Sequence, residues 1–289
     1  MFNIISDSTW SVSILLGIGL VTFQSCAPPT PEARASEPAQ ASTPTQEKSA
    51  TPLKNDSELK EKSKMKIQVM TFNLNSSIPF SGVINTQTSS PIETADEFFL
   101  VSASDISSRH AALPGLVEQV WLSDKAKNSY GIVSYWEGEE SLSSYRNDDN
   151  LYGRFFDYNP LYVNFSDKGF DVLEGPSSVT SNLMDGTPTY IQVVNFNLEG
   201  ITHDDFMGVA NEVAPNFAAL PGLIQKVWLS DEANNTYGGV YSWSTKEACE
   251  AYRSGELYAG ALANNPNFVN LSDKGFAVLE GPSKVTNMK

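Results

Sequence analysis

The chain has only two cysteines, Cys26 and Cys249, and two histidines, His110 and His203, in 289 residues. Two thiols cannot build a disulfide framework or a multi-cysteine metal centre, and two imidazoles leave few ligands for zinc or haem. Basic residues are scarce as well: 19 Lys and Arg stand against 34 Asp and Glu, a net charge of −15. Such a chain is repelled by phosphate backbones and anionic headgroups, so nucleic acid is excluded as a partner and any membrane link must be covalent or hydrophobic. No Gly-rich phosphate loop, Ser-His-Asp arrangement or Cys-His signature occurs, and neither a cofactor nor a metal is expected. What is present, 40% hydrophobic and 11% aromatic residues, suits one or two globular domains.

The apolar run from Ile14 to Phe23 is shorter than the ~20 residues that span a bilayer. It ends at Ser25-Cys26, a small residue before a cysteine, and resembles the lipobox of bacterial lipoproteins. Residues 1–26 are therefore read as a lipoprotein-type signal with lipidation at Cys26. Residues 27–63, rich in Pro, Ser and Thr and nearly free of large apolar side chains, are read as a disordered tether. The expected location is the bacterial cell envelope, lipid-anchored on the membrane surface.

The remainder is duplicated. AALPGL at 111–116 and VWLSD at 120–124 recur 107 positions later, and SDKGF at 166–170 and VLEGPS at 172–177 recur 106 positions later. At the start of each copy the offset is 124, so the first copy carries 17 additional residues near 75–91. The repeats are placed at 64–182 and 186–289. Each reads as β-α-β-β-α-β. Tyr190 to Leu198 is a strand by composition, and Thr202 to Asp205 has capping-box spacing. Phe206, Ala210, Val213 and Phe217 share a helix face, and Leu223 to Leu229 and Tyr237 to Trp243 form a hairpin around Asn234 and Asn235. Ser244 to Glu247 has the spacing of a second capping box, for a helix whose Ala248, Ala251 and Tyr252 face the core, and Gly275 to Glu280 closes the unit as a strand. This is the ferredoxin-like arrangement, of class α+β. One face of such a sheet needs cover, and a second copy can supply it. Two tandem repeats packed sheet to sheet make an intrachain dimeric α/β barrel, a monomeric pseudo-dimer.

The block PGLIQKVW at 221–228, then GGVY at 238–241 and a helix containing Ala251-Tyr252, resembles the YdhR-type monooxygenases of the dimeric α/β-barrel superfamily. The first copy departs from this pattern at Glu118-Gln119 and at Ile132, where the second has Gln225-Lys226 and Gly239. The resemblance implies a cofactor-independent monooxygenase acting on a small aromatic or polyketide-like substrate, with an Asn or Trp beside the activated ring. Asn73, Trp121 and His110 are then candidate catalytic residues. Asn197, Trp228, Tyr130, Tyr237, Trp136 and Trp243 are candidate substrate contacts. The residues by themselves leave bland roles open: Asn73 and Asn197 as turn caps, the Trp and Tyr pairs as core, His110 as a packing residue in the place of Phe217. A non-catalytic ligand-binding or structural lipoprotein on the same scaffold is the second reading, and Cys249 reads as a small buried hydrophobe. The insertion and His110 point to the first copy as the one with the working cavity, gated by residues 75–91.

Overall fold

A computed structural model describes residues 64–80, 83–85 and 88–287. The expected signal, Cys26 and the tether lie outside the described residues. The first repeat runs β1 (Lys66–Leu74), α1 (Ala95–His110), β2 (Leu116–Asp124), β3 (Ser129–Trp136), α2 (Glu139–Arg146), β4 (Tyr162–Val172) and a short α3 (Glu174–Val179). The second runs β5 (Tyr190–Leu198), α4 (His203–Ala218), β6 (Leu223–Asp231), β7 (Thr236–Trp243), α5 (Lys246–Arg253), α6 (Glu256–Tyr258), β8 (Phe268–Val278) and α7 (Glu280–Thr286). A π-helical turn precedes the last strand of each repeat, at Asp149–Asp157 and Ala259–Ala263.

The eight strands close into one antiparallel barrel in the order β1-β3-β2-β8-β5-β7-β6-β4. The repeats are therefore joined at their sheet edges, by Leu122 with Val278 and Ser123 with Ala277 on one side, and Asp171 with Ser230 and Val172 with Leu229 on the other. Strand alternation sorts the side chains. Ile67, Val69, Val120, Leu122, Val133, Ile191, Val193, Val227, Leu229 and Val240 fill the barrel interior in a cluster shared by both repeats. Their neighbours in sequence point outward beneath the helices and build a separate core for each repeat.

Local chemistry sets the element ends. Thr202 accepts from the Asp205 amide while the Asp205 carboxylate accepts from the Thr202 amide, and Thr94 and Glu97 do the same at α1. The cap of α5 is Thr245, not Ser244, and the buried positions of that helix are Cys249 and Tyr252, with Ala251 exposed. The last strand also ends earlier than its composition suggests. Glu280 opens α7, in which Pro282 sits in the first turn, where its missing N–H is no loss.

These terminal helices are exchanged between repeats. The Leu173 amide donates to the Trp228 carbonyl and Ser177 Oγ accepts from the Trp228 amide, so α3 is fastened to β6 of the second repeat. Symmetrically, the Leu279 amide donates to the Trp121 carbonyl and Ser283 Oγ accepts from the Trp121 amide, fastening α7 to β2 of the first. Thr180 and Thr286 repeat the pattern, each donating from its hydroxyl to the carbonyl of Lys226 or Gln119.

Candidate functional site

A cavity of about 360 Å³ lies in the second repeat, between the outer face of its sheet and the helices above it. Phe196, Trp228 and Tyr241 line it from the strands, Phe206, Val213 and Phe217 from α4, and Leu257, Gly260 and Ala261 from α6 and the π-helical turn. Among its lining residues Lys226, Tyr241 and Glu256 carry ionisable side chains. Lys226 is buried, with Nζ 3.0 Å from the ring centre of Trp228, 3.3 Å from that of Phe217 and 4.6 Å from that of Tyr241. No carboxylate of the described residues pairs with it, and burial drives its pKa well below the ordinary lysine value. Aromatic faces favour the ammonium by about 2 kcal/mol when desolvated, against the several kcal/mol lost with its water shell, so burial favours the neutral amine.

The first repeat carries larger side chains at the equivalent place. Phe155 stands where the second repeat has Ala261, with its ring 6.1 Å from that of Trp121, and Ile132 stands where the second has Gly239. Ala261, which lines the cavity, leaves open the space that a phenylalanine at the same place would take. The first copy was expected to hold the working cavity, whereas the cavity described here lies in the second. None of the described residues of the insertion lines the cavity; Phe80 instead packs on Phe98 of α1, with ring centres 5.4 Å apart.

The catalytic candidates of the first repeat are only partly brought together. His110 stacks on Trp121 with ring centres 5.9 Å apart, and both are fully buried. His110 Nδ1 donates to Gln119 Oε1 at 3.0 Å, Gln119 Nε2 donates to Ser134 Oγ at 2.9 Å, and the Tyr145 hydroxyl donates to His110 Nε2 at 3.3 Å. A carbonyl oxygen can only accept, which assigns the imidazole proton to Nδ1. This is a closed polar network inside the core, and burial pushes His110 down to about 4. The sign follows: an unfolded histidine titrates near 6.5, so the contribution of neutral His110 to stability is complete above that pH and is lost as pH falls toward 4, a loss of roughly 3 kcal/mol. Urea unfolding midpoints at pH 7 and pH 4 should show that loss, and His110→Phe, the residue of the other repeat, should flatten it. Equal slopes in both proteins would refute the assignment.

Asn73 and Trp121 do not meet. Period-two alternation turns Trp121 outward with Met70 and Phe72, whereas Asn73 follows the interior-facing Ile67 and Val69. Asn73 Nδ2 donates to the Asn128 carbonyl at 2.6 Å and its Oδ1 accepts from Asn164 at 2.9 Å, and Asn197 does the same with Asn235 and Asn270. Both asparagines therefore clamp strand ends and turns.

Of the expected substrate contacts, Trp228 lines the cavity and the others do not. The Tyr130 hydroxyl donates to Asp96 at 2.9 Å, and Trp243 Nε1 donates to Gln192 Oε1 at 3.2 Å. Tyr237 lies 3.3 Å from His203 Nδ1, and Trp136 stacks on Tyr145. Cys249 is buried, its thiol pushed up to about 12 by desolvation. Among the described residues no three His, Cys, Asp or Glu side chains gather as a metal site.

Lys226 and Tyr241 were not singled out in the sequence as site residues. The available signal was covariation inside the chain: Phe217, Lys226, Gly239 and Tyr241 replace His110, Gln119, Ile132 and Ser134 as a set.

Residues 191–289 match the family model described as Putative mono-oxygenase ydhR. No curated protein matches the sequence. Similar solved structures include a putative monooxygenase from Fusobacterium nucleatum, with 10% identity, a TM-score of 0.54 and coverage of 75% of this chain and 93% of that one. An anthrone oxidase-like protein has 12% identity, a TM-score of 0.54 and coverage of 75% and 92%. A putative chlorite dismutase has 12% identity, a TM-score of 0.53 and coverage of 78% and 98%. At these identities the likeness is one of fold, the two-repeat α/β barrel described above.

Proposed function

We propose, from the match of residues 191–289 to the YdhR mono-oxygenase model, that the cavity of the second repeat binds a small aromatic or polyketide-like molecule and oxygenates it without a cofactor. The observation that carries this reading is the aromatic cavity itself, lined by Gly260 and Ala261 where the first repeat has Arg154 and Phe155. A pocket of this size and apolar lining suits a ligand of a few fused rings. In the reaction the substrate loses a proton and its anion reduces dioxygen. For a methylene flanked by aromatic rings, one oxygen atom becomes the carbonyl, and the other leaves as water with the two hydrogens. The protein supplies a dry site and stabilises the developing charge.

Oxygen uptake and ligand binding with quinols, polyphenols and an anthrone test the reading. Ala261→Phe copies Phe155 into the second repeat and should weaken binding at least about tenfold while the protein stays folded. Undiminished binding would move the ligand elsewhere. The scarcity of acid-base groups along the wall favours a second reading, a binding protein without turnover. Tight binding with no oxygen consumption would select it.

The apolar run and Ser25-Cys26 support a further part of the reading, a protein tethered to the membrane surface. Multiple acyl chains at about 0.8 kcal/mol per buried CH₂ anchor firmly where one chain does not. Mass spectrometry of the mature amino terminus should find an acylated Cys26, and an unmodified one would end the proposal.

A further inference from the structure

We propose that Lys226 is the base of this cavity: its amine takes the proton of a bound phenol or enol, and the cage of Phe217, Trp228 and Tyr241 holds the resulting ammonium beside the organic anion. The proposal rests on the reading that the cavity takes an aromatic molecule, and it names the reacting group of that molecule as an acidic hydroxyl, phenolic or enolic.

The geometry is that of a built site. Lys226 and Trp228 alternate with the interior-facing Val227 and Leu229, so both point beneath the helices. Lys226 is 2% exposed, it lines the cavity together with all three cage residues, and no described residue accepts a hydrogen bond from Nζ or pairs with it. Space for the stem comes from Gly239, where an added Cβ would stand 3.3 Å from Lys226 Cε. The first repeat has Ile132 at that place and an amide, Gln119, in place of the amine. A glutamine satisfied by His110 and Ser134 is a structural residue, whereas an unpaired amine facing a cavity has its bonding capacity left for a ligand.

Burial shifts this amine toward its neutral form, and a neutral amine is a proton acceptor. An anion formed beside it reverses the balance, because a charge pair at contact in a low dielectric favours the ammonium that an isolated lysine could not sustain. In the step the substrate O–H bond breaks, an N–H bond forms on Nζ, and the electron pair stays on the substrate oxygen. No oxidant takes part in it; dioxygen meets the anion afterwards.

The test is a titration of the full-length protein with 4-nitrophenol, colourless when neutral and yellow as the anion, at a pH where the free compound is neutral. Bound ligand should turn yellow. Lys226→Met and Lys226→Gln, the second carrying the first repeat's own residue, should bind it colourless, with near-ultraviolet circular dichroism showing both folded. Colourless binding to the native protein, or yellow binding that survives both substitutions, would overturn the assignment to Lys226 and leave the cavity reading standing. No binding at all, with Ala261→Phe indistinguishable from the native protein, would overturn both.

Discussion

Expressed alone, residues 64–182 should dimerise or aggregate and should not persist as a soluble monomer, and the same holds for residues 186–289. The whole barrel should sediment as a monomer. The first repeat contributes Ile67, Val69, Val120, Leu122, Val133, Tyr135 and Phe170 to the shared interior, all buried. At about 1.5–3 kcal/mol per large apolar side chain, exposing that face costs on the order of 10 kcal/mol, comparable to the entire stability of a typical domain. Each half would also lose the helix that the other lends it, α7 from β2 or α3 from β6. Sedimentation velocity decides: stable monomeric halves would show that each sheet covers itself. Mixed halves should recover the monomer mass of the pair.

Gly238→Ala should lower the thermal midpoint by about 10 °C, the equivalent of about 3 kcal/mol or more for a barrel of this size. A Cβ built at Gly238 would lie 1.8 Å from the Val194 carbonyl oxygen, which is backbone and cannot swing aside. The strand pair β5–β7 would have to part at the wall of the cavity, which Gly238 also lines. Gly208→Ala is the counterpart. Gly208 sits exposed in α4 with nothing within 4 Å of an added Cβ, so alanine should stabilise by roughly 0.5–1 kcal/mol. Calorimetry of both variants against the native protein checks the pair, and a silent Gly238→Ala would mean that the strands can separate freely.

The duplication, the element order and the α/β-barrel class were legible because repeated strings, helical spacing and strand alternation are local signals. The ends of elements were less so. Ser244 and Thr245 are both competent caps, and only the backbone turn chose Thr245. EGPS could end a strand or start a helix, and it was the partner repeat, offering the Trp121 amide to Ser283, that decided for the helix. The separation of two of the candidate site residues is contained in the same alternation. Asn73 and Trp121 belong to opposite faces of their strands, as the parity of Ile67 and Val69 against Val120 and Leu122 could have shown. Trp228 lines the cavity, and the ionisable residue beside it is Lys226. A lysine within an apolar strand reads as family pattern until its cage, assembled from α4 and β7, is seen around it.

The exchanged helices also govern when this protein can finish folding. The segment that completes the first repeat, α7, is the last of the described elements to leave the ribosome, although β1 is the first of them. At roughly 5–20 residues per second, the first repeat must wait on the order of 10 s for it. Through that interval its interior face is open, and the strand β8 that will close its edge is not yet made. The waiting period therefore exposes the nascent chain to pairing with another copy, whose second repeat presents the same edge. Domain-swapped dimers formed during synthesis, and a dependence on holding chaperones, are the hazards this connectivity carries. A circular permutant that begins at residue 186 would shift the same delay onto the other half.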